Sequence, residues 1–223
     1  MTIEVSVVRV FTDESGEHGN ALGIVRAEDV AESDRQSLAT KLGFSETVFF
    51  SSDGSARAST TIYTPAVELP FAGHPTVGLS WWLREHRTAV DTLTVPAADL
   101  RVRYEADTTW IRAKAAWAPS FTPHPMDSVA DVLATDPASF TDGHHYVWAW
   151  NDEDAGSIRS RMFAPTMGIT EDEATGSAAV WITAELGRGL HIEQGRGSVL
   201  RTTLTPEWIE LGGTAAEEAT IYI

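Results

Sequence analysis

Glu68-Leu-Pro-Phe-Ala-Gly-His-Pro-Thr-Val-Gly-Leu-Ser-Trp-Trp-Leu83 reads as a tight turn that opens directly into an apolar helix. Pro75 suits the first helical turn, where a missing N–H is no loss, and Val77, Leu79, Trp81, Trp82 and Leu83 leave little polar face. A buried helix is therefore predicted over about 75–86. Further on, Thr170-Glu-Asp-Glu-Ala-Thr-Gly-Ser-Ala-Ala-Val-Trp-Ile-Thr-Ala-Glu-Leu186 repeats the arrangement and predicts a second buried helix over about 175–187. Tyr63-Thr-Pro65 precedes the first helix and Phe163-Ala-Pro165 the second; each Pro lies nine positions before a residue at the helix mouth, His74 or Ala174. A helix start gathers unpaired N–H groups and the positive end of the dipole, so it attracts anions. Two such starts in one chain are expected to face each other.

The flanking segments alternate strands with polar turns. Strands are predicted at 3–11, 21–26, 44–50, 56–63, 92–95 and 100–104, and then at 109–117, 144–150, 158–163, 191–192, 198–204, 208–211 and 220–223. Ser33 is the expected N-cap and Gly43 the expected stop of a helix over 34–42, and Met126–Leu133 reads as a short helix with Pro125 near its start. Gly19-Asn-Ala-Leu-Gly-Ile-Val25 is echoed by Gln194-Gly-Arg-Gly-Ser-Val-Leu200. Together with the paired helices, this predicts two similar halves, 1–105 and 106–223, each a set of strands around one central helix. No low-complexity linker separates them.

Composition removes several function classes. A hydrophobic fraction of 43% and a charged fraction of 22% are those of a globular protein. No run approaches the roughly 18 apolar residues of a membrane helix. The start, Met-Thr-Ile-Glu-Val-Ser-Val-Val-Arg, has neither a charged leader nor a cleavage site, so a cytoplasmic location is the expectation. A net charge of −16 argues against nucleic acid and anionic membranes, but leaves room for a small anionic metabolite held by local N–H groups. The chain has no cysteine, which excludes disulfides, thiolate metal sites and a two-thiol racemase.

Chemistry concentrates at a few positions. Glu46 stands between Ser45 and Thr47, before the apolar run Val48-Phe49-Phe50, where a carboxylate suits proton transfer; an exposed strand-start Glu is the alternative. His74 is either a turn histidine fixed by a neighbour or a donor and proton relay to a substrate. No second His or carboxylate stands at metal-ligand spacing from it, and His144 and His145 point to opposite faces of a strand, so no metal site is expected. Asp172 and Ser177 flank the second helix start as caps or as site residues, and Asp172 is close enough to Thr175 and Gly176 to hold that turn. Gly73 and Gly176 permit close backbone approach by a ligand or by packing. A serine-hydrolase reading of Gly176-Ser177 lacks the nucleophile elbow. The eight tryptophans read as core.

The motifs fall in a recognisable order: Asn20 after a glycine, Leu42-Gly-Phe-Ser-Glu-Thr47, Thr64-Pro65, Glu68-Leu-Pro-Phe-Ala-Gly-His-Pro75, Gly168-Ile-Thr-Glu-Asp172, Ala174-Thr-Gly-Ser-Ala178 and Gln194-Gly195. This set, spanning Asn20 to Gly195, resembles the PhzF-like phenazine-biosynthesis isomerase family. The resemblance implies an α+β, diaminopimelate-epimerase-like fold of two pseudo-symmetric halves, each a barrel-like sheet around a central helix, with the site in the cleft between them. It implies that Glu46 is the general acid/base and that His74, Asp172 and Ser177 complete the site. It also implies a homodimer.

The expected chemistry is a cofactor-free isomerisation of a small unsaturated or cyclic carboxylic acid. The substrate carboxylate would rest on N–H groups at Gly73-His74 and at Thr175-Gly176-Ser177. A thiol-free racemase or epimerase and a non-catalytic small-molecule binder are the alternatives. Two positions depart from the family pattern, Ala21 and Glu173, where proline is common. Glu173 would place a negative charge at an anion-binding helix end if its side chain turned inward. The chain is also shorter than is usual for the family, between the two motif blocks.

Overall fold

β-branched residues fill the first strand, β1 (Glu4–Thr12), which pairs antiparallel with β2 (His18–Arg26) as the sequence pattern predicts. These elements belong to a computed structural model that describes residues 2–223. The chain continues through α1 (Glu32–Leu42), β3 (Glu46–Ser52), β4 (Arg57–Tyr63), the short β5 (Glu68–Leu69) and α2 (Gly73–His86). Next come β6 (Thr92–Val95), β7 (Ala98–Glu105), β8 (Thr108–Ala113), β9 (Thr122–Pro125), α3 (Val129–Ala134), β10 (His145–Asp152) and β11 (Ser157–Ala164). The chain ends with β12 (Ile169–Asp172), α4 (Gly176–Leu186), β13 (His191–Gln194), β14 (Ser198–Leu204) and β15 (Ile209–Tyr222).

Strands β1-β2-β3-β4-β6-β7-β8-β15 follow one another in the sheet, and β15 pairs back onto β1, which closes a barrel. The buried helix α2 packs on β1, β2, β3, β8 and β15 of that barrel. The same sheet continues from β15 through β14, β13, β11 and β10 to β9, and α4 packs on β14 and β15 of this second half. Among the described residues β8 and β9 do not pair. The segment between them carries Phe121, whose ring lies 5.3 Å from that of Trp181 on α4, and Trp117, whose ring lies 5.4 Å from Phe71. Aromatic contacts thus close over the core there without a ladder of backbone bonds.

Both central helices are buried over most of their length, as the sequence predicts. Gly73 to Ser80 are buried without interruption, as are Ala178, Ala179, Val180, Ile182 and Thr183. α4 ends where Gly187 adopts φ 66°, the left-handed cap conformation that glycine adopts without strain. α2 begins at Gly73, so His74 and Pro75 both lie inside its first turn.

Four expectations need correction. The strand expected at 109–117 stops at Ala113, and Ala115–Trp117 form a short 3-10 turn. α1 starts at Glu32 with Ala31 at its N-cap, so Ser33 is already inside the helix and its hydroxyl faces Asp34 Oδ1 at 3.3 Å. Pro125 ends strand β9, and the short helix starts only at Val129, capped by Ser128 Oγ on the Asp131 N–H. The strands expected at 208–211 and 220–223 are one strand of 14 residues. Gly212-Gly213 looks like a break but is a seat for two rings: a Cβ at Gly212 would lie 2.4 Å from the Trp110 ring, and one at Gly213 would lie 2.3 Å from Phe11. Beyond these glycines the strand crosses into the first half, where Thr214 to Tyr222 pair with β1. No helix among the described residues is long and apolar enough to cross a membrane.

Candidate active site

Glu46 is the first residue of β3, set beside Leu22 of the parallel neighbour β2, and the buried Val48, Phe49 and Phe50 anchor the strand behind it. Its carboxylate Oε2 lies 2.8 Å from His74 Nδ1, and the side chains are 18% and 3% exposed respectively. His74 is thus buried beneath a carboxylate that still reaches the surface. The other ring nitrogen, Nε2, lies 3.0 Å from the Asn20 carbonyl oxygen.

These two bonds fix the protons. A carbonyl only accepts, so Nε2 carries a hydrogen in every protonation state. The bond between Nδ1 and Glu46 then holds one further proton, either on the carboxyl beside a neutral ring or on the ring beside a carboxylate. Burial alone lowers the pKa of His74. The hydrogen bond and charge of Glu46, the Asn20 carbonyl and the charge of Asp172 outweigh that burial and raise it. The ring of Phe11 stands 6.3 Å from that of His74, on a residue held at φ 69° where β1 bulges against β15. A bulky residue in the left-handed region is strained, and here the bulge turns a buried aromatic toward the site.

The second helix mouth is built differently. Asp172 Oδ1 accepts from Asn20 Nδ2 at 2.7 Å, and Oδ2 accepts from the Thr175 hydroxyl at 2.6 Å. Gln194 Nε2 donates to the Asp172 carbonyl at 3.0 Å and to Thr175 Oγ1 at 2.9 Å. Burial, and then the charge of Glu46, push the Asp172 carboxyl up to about 6 against the opposing pull of Thr175, His74 and Asn20. Asn20 therefore joins both mouths: its carbonyl holds His74, its amide nitrogen holds Asp172, and its amide oxygen accepts from Ser45 Oγ at 3.0 Å.

The two helix starts meet in space. A Cβ on Gly176 would lie 2.8 Å from the His74 backbone nitrogen, and one on Gly73 would lie 3.1 Å from Gly176 Cα. Glycine at both positions is what lets the two backbones touch. No side chain caps α2 at Ala72 or α4 at Thr175. Ser177 is half-buried in the first turn of α4, and its hydroxyl makes no hydrogen bond to another described residue. The arrangement joins a proton-bearing pair to two uncapped positive helix ends, which suits proton transfer on a small anion.

Every residue expected at the site from the sequence lies in this one constellation: Glu46, Gly73 and His74 at one mouth, and Asp172, Thr175, Gly176 and Ser177 at the other. The roles of Asn20, Ser45, Gln194 and Phe11 were not foreseen. Asn20 and Gln194 do stand in the matching stretches of the two halves, and that echo was the available signal. Glu173 does not offer a free charge to α4: its carboxylate accepts from the Arg196 N–H and Nε, each at 3.0 Å, and from Ser198 Oγ at 2.9 Å. His145 turns to His124 while His144 turns to Met167, so the neighbouring histidines part as strand geometry requires. Among the described residues no group of three or more His, Asp and Glu side chains could hold a metal ion.

Comparison with known proteins identifies the family and the fold. The family model for phenazine biosynthesis-like proteins, PhzC-PhzF, matches residues 8–131 and 131–201. A trans-2,3-dihydro-3-hydroxyanthranilate isomerase of Pseudomonas chlororaphis is 27% identical over 215 residues, covering 76% of this chain and 74% of that one. An uncharacterized isomerase of Pasteurella multocida is 34% identical over a shorter stretch, 40% of this chain and 32% of that one. The crystal structure of a Bacillus anthracis phenazine biosynthesis protein of the PhzF family superposes with a TM-score of 0.82 at 20% identity, over 100% of this chain and 99% of that one. A probable proline racemase of Agrobacterium radiobacter has the same fold at 11% identity, with a TM-score of 0.64 over 99% of this chain and 92% of that one. The fold is therefore the diaminopimelate-epimerase-like α+β fold. The chain belongs to the phenazine biosynthesis-like (PhzC-PhzF) family and is an isomerase.

Proposed function

We propose that this isomerase moves a proton between two carbons of a small unsaturated or cyclic carboxylic acid, with Glu46 as the acid/base and no cofactor. The observation that carries the reading is the 2.8 Å contact between Glu46 and His74 together with the lock of Nε2 on the Asn20 carbonyl. With Nε2 committed, His74 supports the Glu46 carboxylate as an imidazolium, and Glu46 has one oxygen left to face a substrate. That oxygen takes a proton from a C–H adjacent to the unsaturated system, and the electron pair spreads into the conjugated acid. Glu46, its proton exchanged with solvent, then delivers one proton at another carbon, so one proton leaves, one arrives, and the atoms balance without an oxidant or a second reactant.

The substrate carboxylate sits at the uncapped starts of α2 and α4, where N–H donors stabilise the charge that develops as the C–H proton leaves. Asp172, with both oxygens engaged by Asn20 and Thr175, holds the second mouth in shape and takes no part in proton transfer. General acid/base transfer is worth about 10²–10⁴ in rate, and preorganised donors add to it. Turnover of trans-2,3-dihydro-3-hydroxyanthranilate in D₂O, with the product read by NMR, tests the reading. One deuterium at a new carbon, with no inversion at the original one, is expected. Inversion at a single carbon would indicate an epimerase, and binding without exchange would indicate a binder.

A further inference from the structure

Glu173 and Asp172 are consecutive acids on the turn into α4, and they hold consecutive residues of β2 across the seam between the two halves. Asp172 takes the side-chain amide of Asn20 directly. Glu173 works through Ser198. Its Oε1 accepts the Ser198 hydroxyl at 2.9 Å, and the Ser198 oxygen in turn accepts the Gly19 N–H at 2.9 Å. Because the serine proton goes to the carboxylate, the lone pairs of the buried Ser198 are left for Gly19.

The surroundings are shaped for this grip. The Glu173 side chain is only 14% exposed and its charge is met by Arg196. A Cβ on Gly195 would lie 2.7 Å from Glu173 Oε2, so glycine there makes room for the carboxylate. Gly19 has φ 81°, and a Cβ there would come within 3.0 Å of the Val10 carbonyl oxygen, so the segment passes this close to β1 only as glycine. The next residue, Asn20, presents the carbonyl that holds His74 Nε2.

We propose that Glu173 is a positioning residue of this chain: by orienting the Ser198 hydroxyl it fixes the Gly19-Asn20 backbone, and through the Asn20 carbonyl it fixes His74 beneath Glu46. The proposal rests on reading Glu46 and His74 as the proton-carrying pair. Glu173 touches neither substrate nor the reacting atoms.

The test uses the whole chain with Glu173→Ala, Ser198→Ala, the double variant and Glu173→Gln. Hydrogen exchange of the Gly19 amide and of the His74 Nε2–H is read by NMR, and kcat and KM are measured with the acid used to test the isomerase. Both exchange rates should rise in each Ala variant. kcat should fall roughly tenfold, the scale of one lost hydrogen bond, with KM changed less than about twofold. The double variant should be no worse than either single one, since the two residues lie on one path. Glu173→Gln, which keeps an acceptor for Ser198, should recover much of the loss. Unchanged exchange at Gly19 and His74 in Glu173→Ala, or losses that multiply in the double variant, would overturn the proposal. The exchange measurements need no turnover. Failure of the Glu46 reading would instead appear as full activity in Glu46→Gln, whatever Glu173 does.

Discussion

The two helix mouths look alike in sequence and differ in chemistry. Each opens from a glycine onto an apolar helix, neither has a side-chain cap, and the two backbones touch. Yet the α2 mouth presents a bonded acid–imidazole pair, Glu46 and His74, while at the α4 mouth Asp172, Thr175 and Gln194 are tied to one another and Gln194 Oε1 is left buried without a partner. One end is left with a proton to give or take, and the other is left with only N–H groups and the free hydroxyl of Ser177. The two helix starts are alike as places for an anion, and the side chains around them set them apart.

Substitution at the two mouths should therefore fail in different ways. The largest effect belongs to α2. His74→Phe keeps a buried ring but removes both hydrogen bonds, and kcat should fall by about 10² or more while binding of a carboxylate ligand persists. Stopped-flow or steady-state kinetics beside a binding isotherm would check the split. Equal loss in kcat and binding would mean that both mouths only hold.

At α4 the expected signature is in stability. Folding raises the Asp172 carboxyl from 3.8 to about 6, so the folded protein holds this proton more tightly than the unfolded chain. The stability from this group is complete below about pH 4 and is lost as pH rises through about 6, a fall of about 3 kcal/mol at most. Asp172→Asn should remove most of that fall, as read by denaturant unfolding at acid and neutral pH. His74, whose pKa is also raised, acts in the same sense and leaves a residual slope. An unchanged pH dependence in the variant would show that Asp172 is not held as a buried acid.

The smallest effect belongs to Ser177, whose hydroxyl has no partner among the described residues. Ser177→Ala should raise KM by roughly two- to tenfold, the value of one neutral hydrogen bond, and leave kcat nearly as it was. A fall in kcat alone would move Ser177 from holding to chemistry.

Much of this was legible before any coordinates. Apolar runs behind Gly73 and Gly176 specify buried helices because nothing in them tolerates water, and the motif order placed Glu46, His74, Asp172 and Ser177 in one cleft. What the sequence hid has physical reasons. Gly212-Gly213 looks like a strand break because a glycine made to seat an aromatic ring from another strand is indistinguishable from one made for a turn. Ala215-Ala-Glu-Glu-Ala219 looks solvated, yet it pairs with β1 because backbone bonds there do not depend on side-chain type. Asn20 gives no local sign of its role, since its partners His74, Asp172 and Ser45 lie far away in the chain. Glu173 looked like a misplaced charge because its counterpart, Arg196, reaches it only through the fold.

The central claim is that the proton carried by Glu46 is the one that moves on the substrate. Solvent deuterium incorporation by Glu46→Gln tests it most directly, measured with trans-2,3-dihydro-3-hydroxyanthranilate beside a ligand-binding assay and a thermal melt. The amide is isosteric, so the variant should fold and bind as the parent does while incorporation falls by at least about 10². Incorporation at the parental rate in the folded variant would contradict the claim.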